Sequence, residues 1–377
     1  MAAQPPFRVV IAGGGVAALE AALALRDLAG DRVALQLIAP NGEFKYRPMT
    51  VREPFAYGPA RSYALDDIAR DIGAEVVVDA LGWVEPANRV AHTEGGAELP
   101  YDALVLAVGA RMHPPFAHGI VIDDGRMDEL LHGIVQDVEA GYVRRLAFVS
   151  PARMGWPLPL YELAFMTARR AYDMNVTVEL TIVTPEETPL AIFGERASGV
   201  VAELLEEAGI AVIARAEVRV PAEDRVVILP AGRTLEVDRV IVLPELFGPA
   251  VRGVPSSEHG FIAVDAHGAV EGVPGVYAAG DATDFQVKQG GVAAQQADVV
   301  AQAIAALAGA TVAPERFRPE IHGMLLTGGR PRYLSAELHG GRGVRSEVSD
   351  EPPHALAAKI TARYLGPYLE KRDAASG

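Results

Sequence analysis

The fold of this chain is decided by the stretch Arg8-Val-Val-Ile-Ala-Gly-Gly-Gly-Val-Ala-Ala18. The apolar run before the glycines is typical of a buried strand, and the Ala- and Leu-rich segment after them has helical spacing. Glycine at position 13 permits a sharp turn, glycine at position 15 lets a pyrophosphate approach the main chain, and alanine at position 18 lets helix and strand pack closely. The stretch therefore predicts a strand–turn–helix unit that binds a dinucleotide through free N–H groups and the helix dipole. The predicted cofactor-binding residues of this turn are Gly13, Gly15, Val16, Ala17 and Ala18.

The carboxylate that usually holds the ribose of a dinucleotide is missing from its expected position. It should end the second strand, near Ala39-Pro40, where this chain has no acidic residue. Glu43 follows shortly afterwards. It either substitutes for the missing carboxylate or is a solvated loop charge.

Strands alternate with helices along most of the chain, which predicts parallel sheets. A second strand–helix–strand unit begins at Leu146-Ala-Phe-Val-Ser150. The predicted fold class is α/β, with two Rossmann-like, three-layer dinucleotide-binding domains and a small C-terminal α+β region. The predicted boundaries are 1–112 with 246–312 for a discontinuous first domain, 113–245 for the second domain, and 313–377 for the C-terminal interface region.

A further motif lies far along the chain at Val276-Tyr-Ala-Ala-Gly-Asp-Ala282, an apolar strand that ends in Gly-Asp. Ligands of open α/β sheets collect at such carboxyl ends of strands. Through this motif, the glycine turn and the strand Leu104-Val-Leu-Ala-Val-Gly109, nearly the whole chain resembles the pyridine-nucleotide-disulfide-reductase-like flavoproteins. The resemblance is to their type II NADH dehydrogenase and sulfide:quinone oxidoreductase branch. It implies that the cofactor is FAD, that Asp281, with Gly280, lies at its ribityl chain, and that the turn at Gly109 passes near it.

The resemblance also places residues around the flavin ring. The helix that starts near Gly290 would begin under the flavin's pyrimidine end, where its N–H groups favour negative charge. Lys288 and Gln289 precede this helix, and Lys288 either adds positive charge there or is a solvent-exposed loop lysine. Arg47-Pro48 resembles the family's segment beside the flavin, with Pro48 against the ring.

Glu162 is aligned by the same resemblance with a glutamate whose helix points at the flavin. Its carboxylate there passes a proton to or from the N5 atom of the flavin. Alternatively, it interacts with the dipole at the start of its own helix. Glu162 and Lys288 are the predicted catalytic residues.

The chain has no cysteine, which excludes disulfide relays, iron–sulfur clusters and thiolate zinc sites. The cysteine-dependent mechanisms of the family are therefore not available. The turn that should bind NAD(P)H in the second unit is also altered, because after Ser150 only Gly155 remains, beside Trp156 and several prolines. Prolines remove N–H donors and the indole obstructs a pyrophosphate, so this loop argues against tight binding of NAD(P)H, which stays an alternative donor.

The composition excludes several classes of partner. The formal net charge of −15 disfavours nucleic acid and acidic membrane surfaces. No apolar run is long enough for a transmembrane span, and the N-terminus has no signal-peptide pattern, which predicts a cytoplasmic protein. No histidine has metal-ligand spacing, so no metal site is predicted, and His322 and His339 are interpreted as surface residues.

Residues Ala355 to Leu369 are predicted to form one amphipathic helix, with Lys359 and Arg363 opposite its apolar face. This helix is interpreted as docking over the flavin domain or contacting a second subunit, rather than as a membrane anchor. A homodimer is therefore one expected assembly.

Two functions are compatible with these features. In the first, the protein is an FAD-dependent oxidoreductase that passes two electrons from a small-molecule donor to an acceptor such as a quinone, without cysteine chemistry. In the second, it is an FAD-binding electron-transfer or partner subunit with no small-molecule turnover of its own. The sequence names neither the donor nor the acceptor.

Overall fold

The computed structural model describes residues 5–352 and 359–376. The elements of its first part are β1 (Phe7–Ala12), α1 (Val16–Ala29), β2 (Val33–Ala39), β3 (Glu43–Lys45), β4 (Ser62–Ala64), α2 (Leu65–Ile72), β5 (Ala74–Val78), β6 (Leu81–Glu85), β7 (Val90–Thr93), β8 (Glu98–Pro100), β9 (Ala103–Leu106) and β10 (Arg111–His113). β9, β1, β2 and β5 lie side by side as parallel strands. β6, β7 and β8 form a small antiparallel sheet, and β3 pairs with β4.

A second parallel sheet is built from the middle of the chain. Its elements and their neighbours are β11 (Ile120–Val121), α3 (Met127–Glu139), β12 (Arg145–Val149), α4 (Leu158–Asp173), β13 (Glu179–Val183), α5 (Gly194–Glu207), β14 (Ile210–Ile213), β15 (Glu217–Ala222), β16 (Arg225–Leu229), β17 (Arg233–Glu236), β18 (Arg239–Val242) and β19 (Glu245–Phe247). The strand order of this sheet is β11-β18-β12-β13-β14, and β15 to β17 form an antiparallel meander. The chain passes between the two parallel sheets through β10 and β19, which pair with each other.

The last part of the chain completes the first sheet and adds a separate antiparallel sheet. Its elements are β20 (Val276–Ala278), α6 (Gly290–Leu307), β21 (Glu320–Leu325), β22 (Arg332–His339), β23 (Arg342–Ser349) and α7 (Leu365–Ser376). β20 joins the edge of the first sheet, whose order becomes β20-β9-β1-β2-β5, while β21 to β23 form an antiparallel sheet. The predicted α/β fold class with two Rossmann-like units is therefore confirmed.

The core of the first unit lies where α1 packs against α6. The buried face of α1 consists largely of alanine, including Ala18, Ala21 and Ala22, none of which is exposed. Small side chains let the two helices approach closely, and this contact holds the N-terminal ends of both helices near one edge of the sheet.

The predicted C-terminal helix over 355–369 is wrong in its extent. Residues 355–358 lie outside the described residues, residues 359–364 are not helical, and α7 begins at Leu365. The carboxylate of Glu20 on α1 accepts hydrogen bonds from the main-chain N–H groups of Tyr364 and Leu365, at 2.9 and 2.6 Å. These N–H groups would otherwise be unpaired at a helix start, so the carboxylate determines where α7 begins.

α7 docks on the first unit, since Leu365 and Leu369 are buried in the same core as α1. Within the described residues, no helix combines the length and the apolar character needed to cross a bilayer.

Candidate functional site

The carboxyl ends of the two parallel sheets face one cleft of about 1490 Å³. Small-molecule sites usually measure about 300–1,000 Å³, so this cleft has room for a second molecule beside a cofactor. The predicted site residues that line it are Gly13, Gly15, Val16, Ala17, Arg47, Pro48, Gly109, Glu162, Gly280, Asp281, Lys288, Gln289 and Gly290. Ala18 does not line the cleft, because it is fully buried between helix and strand.

The two key glycines of the first turn serve different purposes. Gly13 has a φ of 135°, and a Cβ atom there would lie 2.2 Å from the carbonyl oxygen of Ala107. Gly13 is therefore required by the packing of the first sheet. Gly15 starts α1 in an extended conformation, and a Cβ atom there would meet nothing within 4 Å. Gly15 instead keeps the space in front of the first N–H groups of α1 open.

No acidic residue ends β2, as the sequence indicates. Asn41 and Glu43 line the cleft beyond Ala39, and Glu43 is exposed at the start of β3. Glu43 is thus both a solvated residue and a residue of the cleft wall.

Asp281 lies in the cleft directly after β20. Its turn is fixed by the main-chain N–H of Gly280, which donates to Oε1 of Gln296 at 2.7 Å. Among the described residues, no group donates a hydrogen bond to the carboxylate of Asp281. Burial raises the pKa of Asp281, while the positive charge of Lys288 opposes this shift. An unpaired carboxylate that faces a cleft is suited to accept hydrogen bonds from the hydroxyl groups of a ligand.

Lys288 is a buried residue and not a solvent-exposed loop lysine, since only 9% of it is accessible. Its amino group donates to the carbonyl oxygens of Thr283 and Asp281, at 2.5 and 3.2 Å. It also lies 4.0 Å from the centre of the Phe261 ring. Burial lowers the pKa of Lys288 to about 8, against the effect of Asp281. Lys288 therefore fixes the turn of Asp281 and brings positive charge to this end of the cleft.

The N-terminus of α6 is capped by its own preceding residue. Oε1 of Gln289 accepts from the N–H of Val292 at 2.9 Å, and Nε2 of Gln289 donates to the carbonyl oxygen of His322 at 3.2 Å. Gly290 packs against the side chain of Ile360, where a Cβ atom would lie 3.1 Å from that residue. The segment before α7 thus covers the start of α6.

Glu162 lies on α4 and is fully buried. One carboxylate oxygen accepts from the amino group of Lys359 at 2.7 Å, and the other accepts from the N–H of Leu326 at 3.1 Å. Burial raises the pKa of Glu162 and lowers the pKa of Lys359, while the charge of each partner opposes the shift of the other. Burial therefore moves the pKa values of the two groups toward each other.

Lys359 is a residue of the site that sequence reasoning did not find. It was expected on the polar face of a helix, but it is 7% exposed, and its amino group also donates to the carbonyl oxygen of Pro48 at 2.9 Å. Its position depends on the non-helical path of residues 359–364, for which the local sequence contains no signal.

Arg47 lines the cleft and is paired with an acidic residue. It is exposed and its guanidinium lies 3.5 Å from the carboxylate of Asp124, another cleft residue that was not predicted. Asp124 follows β11, so this pair connects the segment beside Pro48 with the second unit.

The altered turn of the second unit is filled by the protein itself. The carbonyl oxygen of Gly155 accepts from the main-chain N–H of Lys288 at 3.0 Å, and a Cβ atom on Gly155 would lie 2.5 Å from Cγ of Lys288. α4 begins after Pro157 and carries Pro159 in its first turn, so its N-terminus offers fewer N–H donors than α1 does. Trp156 lines the cleft and packs edge-to-face on Phe193.

Comparisons with known proteins bear on the family and on the fold of the chain. The sequence profile of a family described as pyridine nucleotide-disulphide oxidoreductase matches residues 7–148 and 161–297. The profile thus passes over residues 149–160, which include the altered turn. No curated protein matches the chain in sequence.

Several solved structures share the fold. The sulfide:quinone oxidoreductase from the hyperthermophilic bacterium Aquifex aeolicus superposes with a TM-score of 0.81 at 19% identity, covering 91% of this chain and 87% of that one. A ferredoxin reductase from Rhodopseudomonas palustris gives a TM-score of 0.69 at 20% identity, with 88% and 83% covered. A NAD-dependent persulfide reductase from A. fulgidus gives 0.64 at 19% identity, with 89% and 65% covered.

Proposed function

This chain belongs to the pyridine nucleotide-disulphide oxidoreductase family, and we propose that it passes two electrons from a small-molecule donor through FAD to a quinone. That it is an FAD-dependent oxidoreductase follows from the family. The choice of a quinone, and the roles of individual residues, are our proposal.

The residues of the cleft fit FAD. Gly15 leaves open space before the N–H groups of α1, where a diphosphate is stabilised by the helix dipole. The unpaired carboxylate of Asp281 offers an acceptor for hydroxyl groups of the ribityl chain. When bound, FAD supplies the two-electron chemistry, while the protein supplies orientation and electrostatics.

Lys288 stabilises negative charge at the start of α6. Its ammonium is held by two carbonyl oxygens and is shielded from solvent, so its field is less screened than that of a surface lysine. The N-terminal dipole of α6 acts in the same direction.

The observation that carries the choice of acceptor is the buried pair of Glu162 and Lys359 in the same cleft. Reduction of a quinone to a quinol consumes protons as well as electrons, so the site needs a group that releases a proton away from bulk water. A pair in which burial moves both pKa values toward each other is suited to hold and deliver that proton. A protein acceptor of single electrons would not need it.

The same cleft argues against NAD(P)H as a tightly bound donor. The turn that would hold its pyrophosphate is packed against Lys288 through Gly155, and prolines replace N–H donors at the start of α4. With no cysteine in the chain, electrons are not relayed through a thiol either. We therefore propose an organic donor that is oxidised directly in the cleft.

The proposal is tested on the purified yellow holoenzyme under anaerobic conditions. The flavin is first reduced chemically, and the protein is then mixed with menadione while the visible absorption of the flavin is followed. We expect rapid reoxidation by menadione and little bleaching of the oxidised enzyme by NADH, NADPH or sulfide. Absence of reoxidation, together with a co-purifying protein that reoxidises the flavin, would instead identify an electron-transfer subunit.

The cofactor site is tested with Asp281→Ala and the matched control Asp284→Ala, which changes an exposed aspartate in the next turn. We expect the first variant to lose FAD during purification and the second to retain it. Equal FAD content in the two variants would remove Asp281 from the cofactor site.

A further inference from the structure

The ammonium of Lys359 enters the cleft from a segment without regular structure. Residues 359–364 are not helical, so the N–H groups of this segment depend on acceptors from other parts of the chain. Ile360, the next residue, is only 5% exposed. A buried N–H group without an acceptor is unfavourable, so the path of the main chain beside Lys359 depends on what accepts from Ile360.

Tyr46 supplies that acceptor. Its phenol oxygen accepts from the main-chain N–H of Ile360 at 2.8 Å. Burial raises the pKa of Tyr46 to about 12, while the N–H groups of Ile360 and Lys359 oppose this shift, so the phenol is neutral at neutral pH. The residue is itself fixed, because its main-chain N–H donates to the carbonyl oxygen of Arg61 at 2.8 Å and its ring packs against the core of the first unit.

The same short segment also binds the side chain of Lys359. Two residues after Tyr46, the carbonyl oxygen of Pro48 accepts from the ammonium of Lys359 at 2.9 Å. Tyr46 therefore holds the main chain beside the lysine, and Pro48 holds the end of its side chain. A lysine has a flexible four-carbon stem, which is restricted when both of its ends are bound. These contacts fix the ammonium at 2.7 Å from the carboxylate of Glu162.

Removal of the Tyr46 hydroxyl group would disturb this ion pair from a distance. The N–H of Ile360 would lose its acceptor, and the main chain would have to move to pair it again, which would displace the ammonium of Lys359. Burial raises the pKa of Glu162 and the charge of Lys359 opposes this, so a displaced ammonium makes the carboxyl group hold its proton more tightly. Tyr46 itself does not line the cleft, so its effect passes through Lys359.

We propose that Tyr46 is a positioning residue of the reaction, whose hydroxyl group accepts from Ile360 and thereby keeps the ammonium of Lys359 where the Glu162–Lys359 pair can deliver a proton to the quinone. The inference rests on the proposed function, in which the quinone receives its two electrons from reduced flavin. The proton that leaves the pair is bound by the quinone oxygen, and the pair regains a proton from solvent. Tyr46 keeps its own proton throughout.

The test compares FAD-loaded holoenzymes carrying Tyr46→Phe and the matched control Tyr63→Phe. The hydroxyl group of Tyr63 also connects the first unit to the C-terminal part of the chain, but it donates to Asp373 on α7, at 3.0 Å, and not to the segment of Lys359. Each substitution removes one hydroxyl group and keeps the ring and its packing. Chemically reduced enzyme is mixed anaerobically with menadione, or with ferricyanide, which takes up electrons without protons. We expect Tyr46→Phe to slow reoxidation by menadione about tenfold and to leave the ferricyanide rate unchanged, whereas Tyr63→Phe changes neither rate.

Two further measurements separate positioning from a purely structural role. Lys359→Met removes the ammonium, so the addition of Tyr46→Phe to this variant should slow reoxidation by menadione no further. Acetylation with acetic anhydride, followed by mass spectrometry, reports the accessibility of Lys359 without any turnover. Lys359 should be acetylated faster in Tyr46→Phe than in the wild type or Tyr63→Phe, while Lys371, an exposed residue of α7, should be acetylated equally in all three.

The results that would overturn the inference are distinct from those that would overturn the proposed function. Reoxidation of Tyr46→Phe by menadione at the wild-type rate would exclude a positioning role. So would an equal slowing in Tyr63→Phe, or a further slowing in the double variant, because the effect would then not pass through Lys359. A wild type that is reoxidised by ferricyanide but not by menadione would overturn the proposed function, and this inference with it.

Discussion

The carboxylate of Glu162 and the amino group of Lys359 lie 2.7 Å apart, although 197 positions separate them in the chain. The contact joins α4 of the second unit to the segment before α7. Through the second hydrogen bond of Lys359, it also reaches Pro48 in the first unit. One buried ion pair therefore connects three parts of the chain that are distant in sequence.

Glu162→Gln should leave FAD content unchanged and slow the reoxidation of reduced enzyme by menadione, because the amide cannot release a proton. It should also lower the free energy of unfolding by about 3–5 kcal/mol, since the ammonium of Lys359 is left buried without its counter-charge. The double variant Glu162→Gln/Lys359→Met should recover much of the stability and none of the rate. Stopped-flow absorption and urea unfolding provide the two readouts. Normal reoxidation by the single variant would limit Glu162 to a structural role.

The two glycines of the first turn should respond differently to alanine. Gly13→Ala places a Cβ atom 2.2 Å from the carbonyl oxygen of Ala107 at a positive φ, so we expect a loss of about 2 kcal/mol or more in stability. Gly15→Ala has free space around the new methyl group, so the FAD-free protein should change by less than about 0.5 kcal/mol. Its affinity for FAD should nevertheless fall by about tenfold or more. Urea unfolding and FAD titration separate the two effects, and equal FAD affinity in Gly15→Ala and the wild type would contradict this assignment.

Lys288 should make stability depend on pH in the alkaline range. Burial lowers its pKa from the ordinary 10.5 to about 8, so between these values the unfolded chain binds more protons than the folded one. The contribution of Lys288 to the free energy of unfolding should therefore rise with pH across this window. Subtracting the stability of Lys288→Met from that of the wild type, in urea melts from pH 7 to 10, isolates this contribution. A difference that stays flat or falls would show that the ammonium is not desolvated.

Asp298 on α6 should produce the opposite trend in the acidic to neutral range. Burial, and after it the neighbouring Glu20, raises the pKa of Asp298 from 3.8 to about 8. The folded protein binds more protons than the unfolded chain in this window, so stability should fall as pH rises from about 4 to about 8. Asp298→Asn should remove this fall, whereas Asp27→Asn, at an exposed position of α1, should preserve it. Thermal melts at several pH values provide the comparison, and a wild type with no such slope would contradict the prediction.

The features that the sequence predicted well are those encoded locally. The turn from Gly13 to Ala18 and the strand before Asp281 carry their own apolar runs and glycines, and α6 was expected at the residues where it occurs. α3 was missed, although Met127, Leu131 and Val138 have the helical spacing of a buried face. This spacing is a local signal that predicts a helix.

The features that were missed depend on contacts between distant residues. Lys359 is buried because Glu162 supplies its counter-charge, and α7 starts late because Glu20 binds its first N–H groups. His322 has no sequence context that separates it from His339, and only the position of β21 beside α6 brings it into the cleft. No local pattern reports such partners, because burial of a polar group is decided by the assembled structure.

Gly155 has a structural role that does not depend on the binding of a nucleotide. Its carbonyl oxygen accepts from the main chain of Lys288, and a Cβ atom would lie too close to the Lys288 side chain, so alanine at this position would displace this contact between the two units whether or not a nucleotide binds there. Natural selection would therefore retain the glycine in descendants of this chain for the sake of domain assembly. In an alignment of such descendants, an invariant residue 155 would report how the two units are joined and would carry no information about cofactor choice.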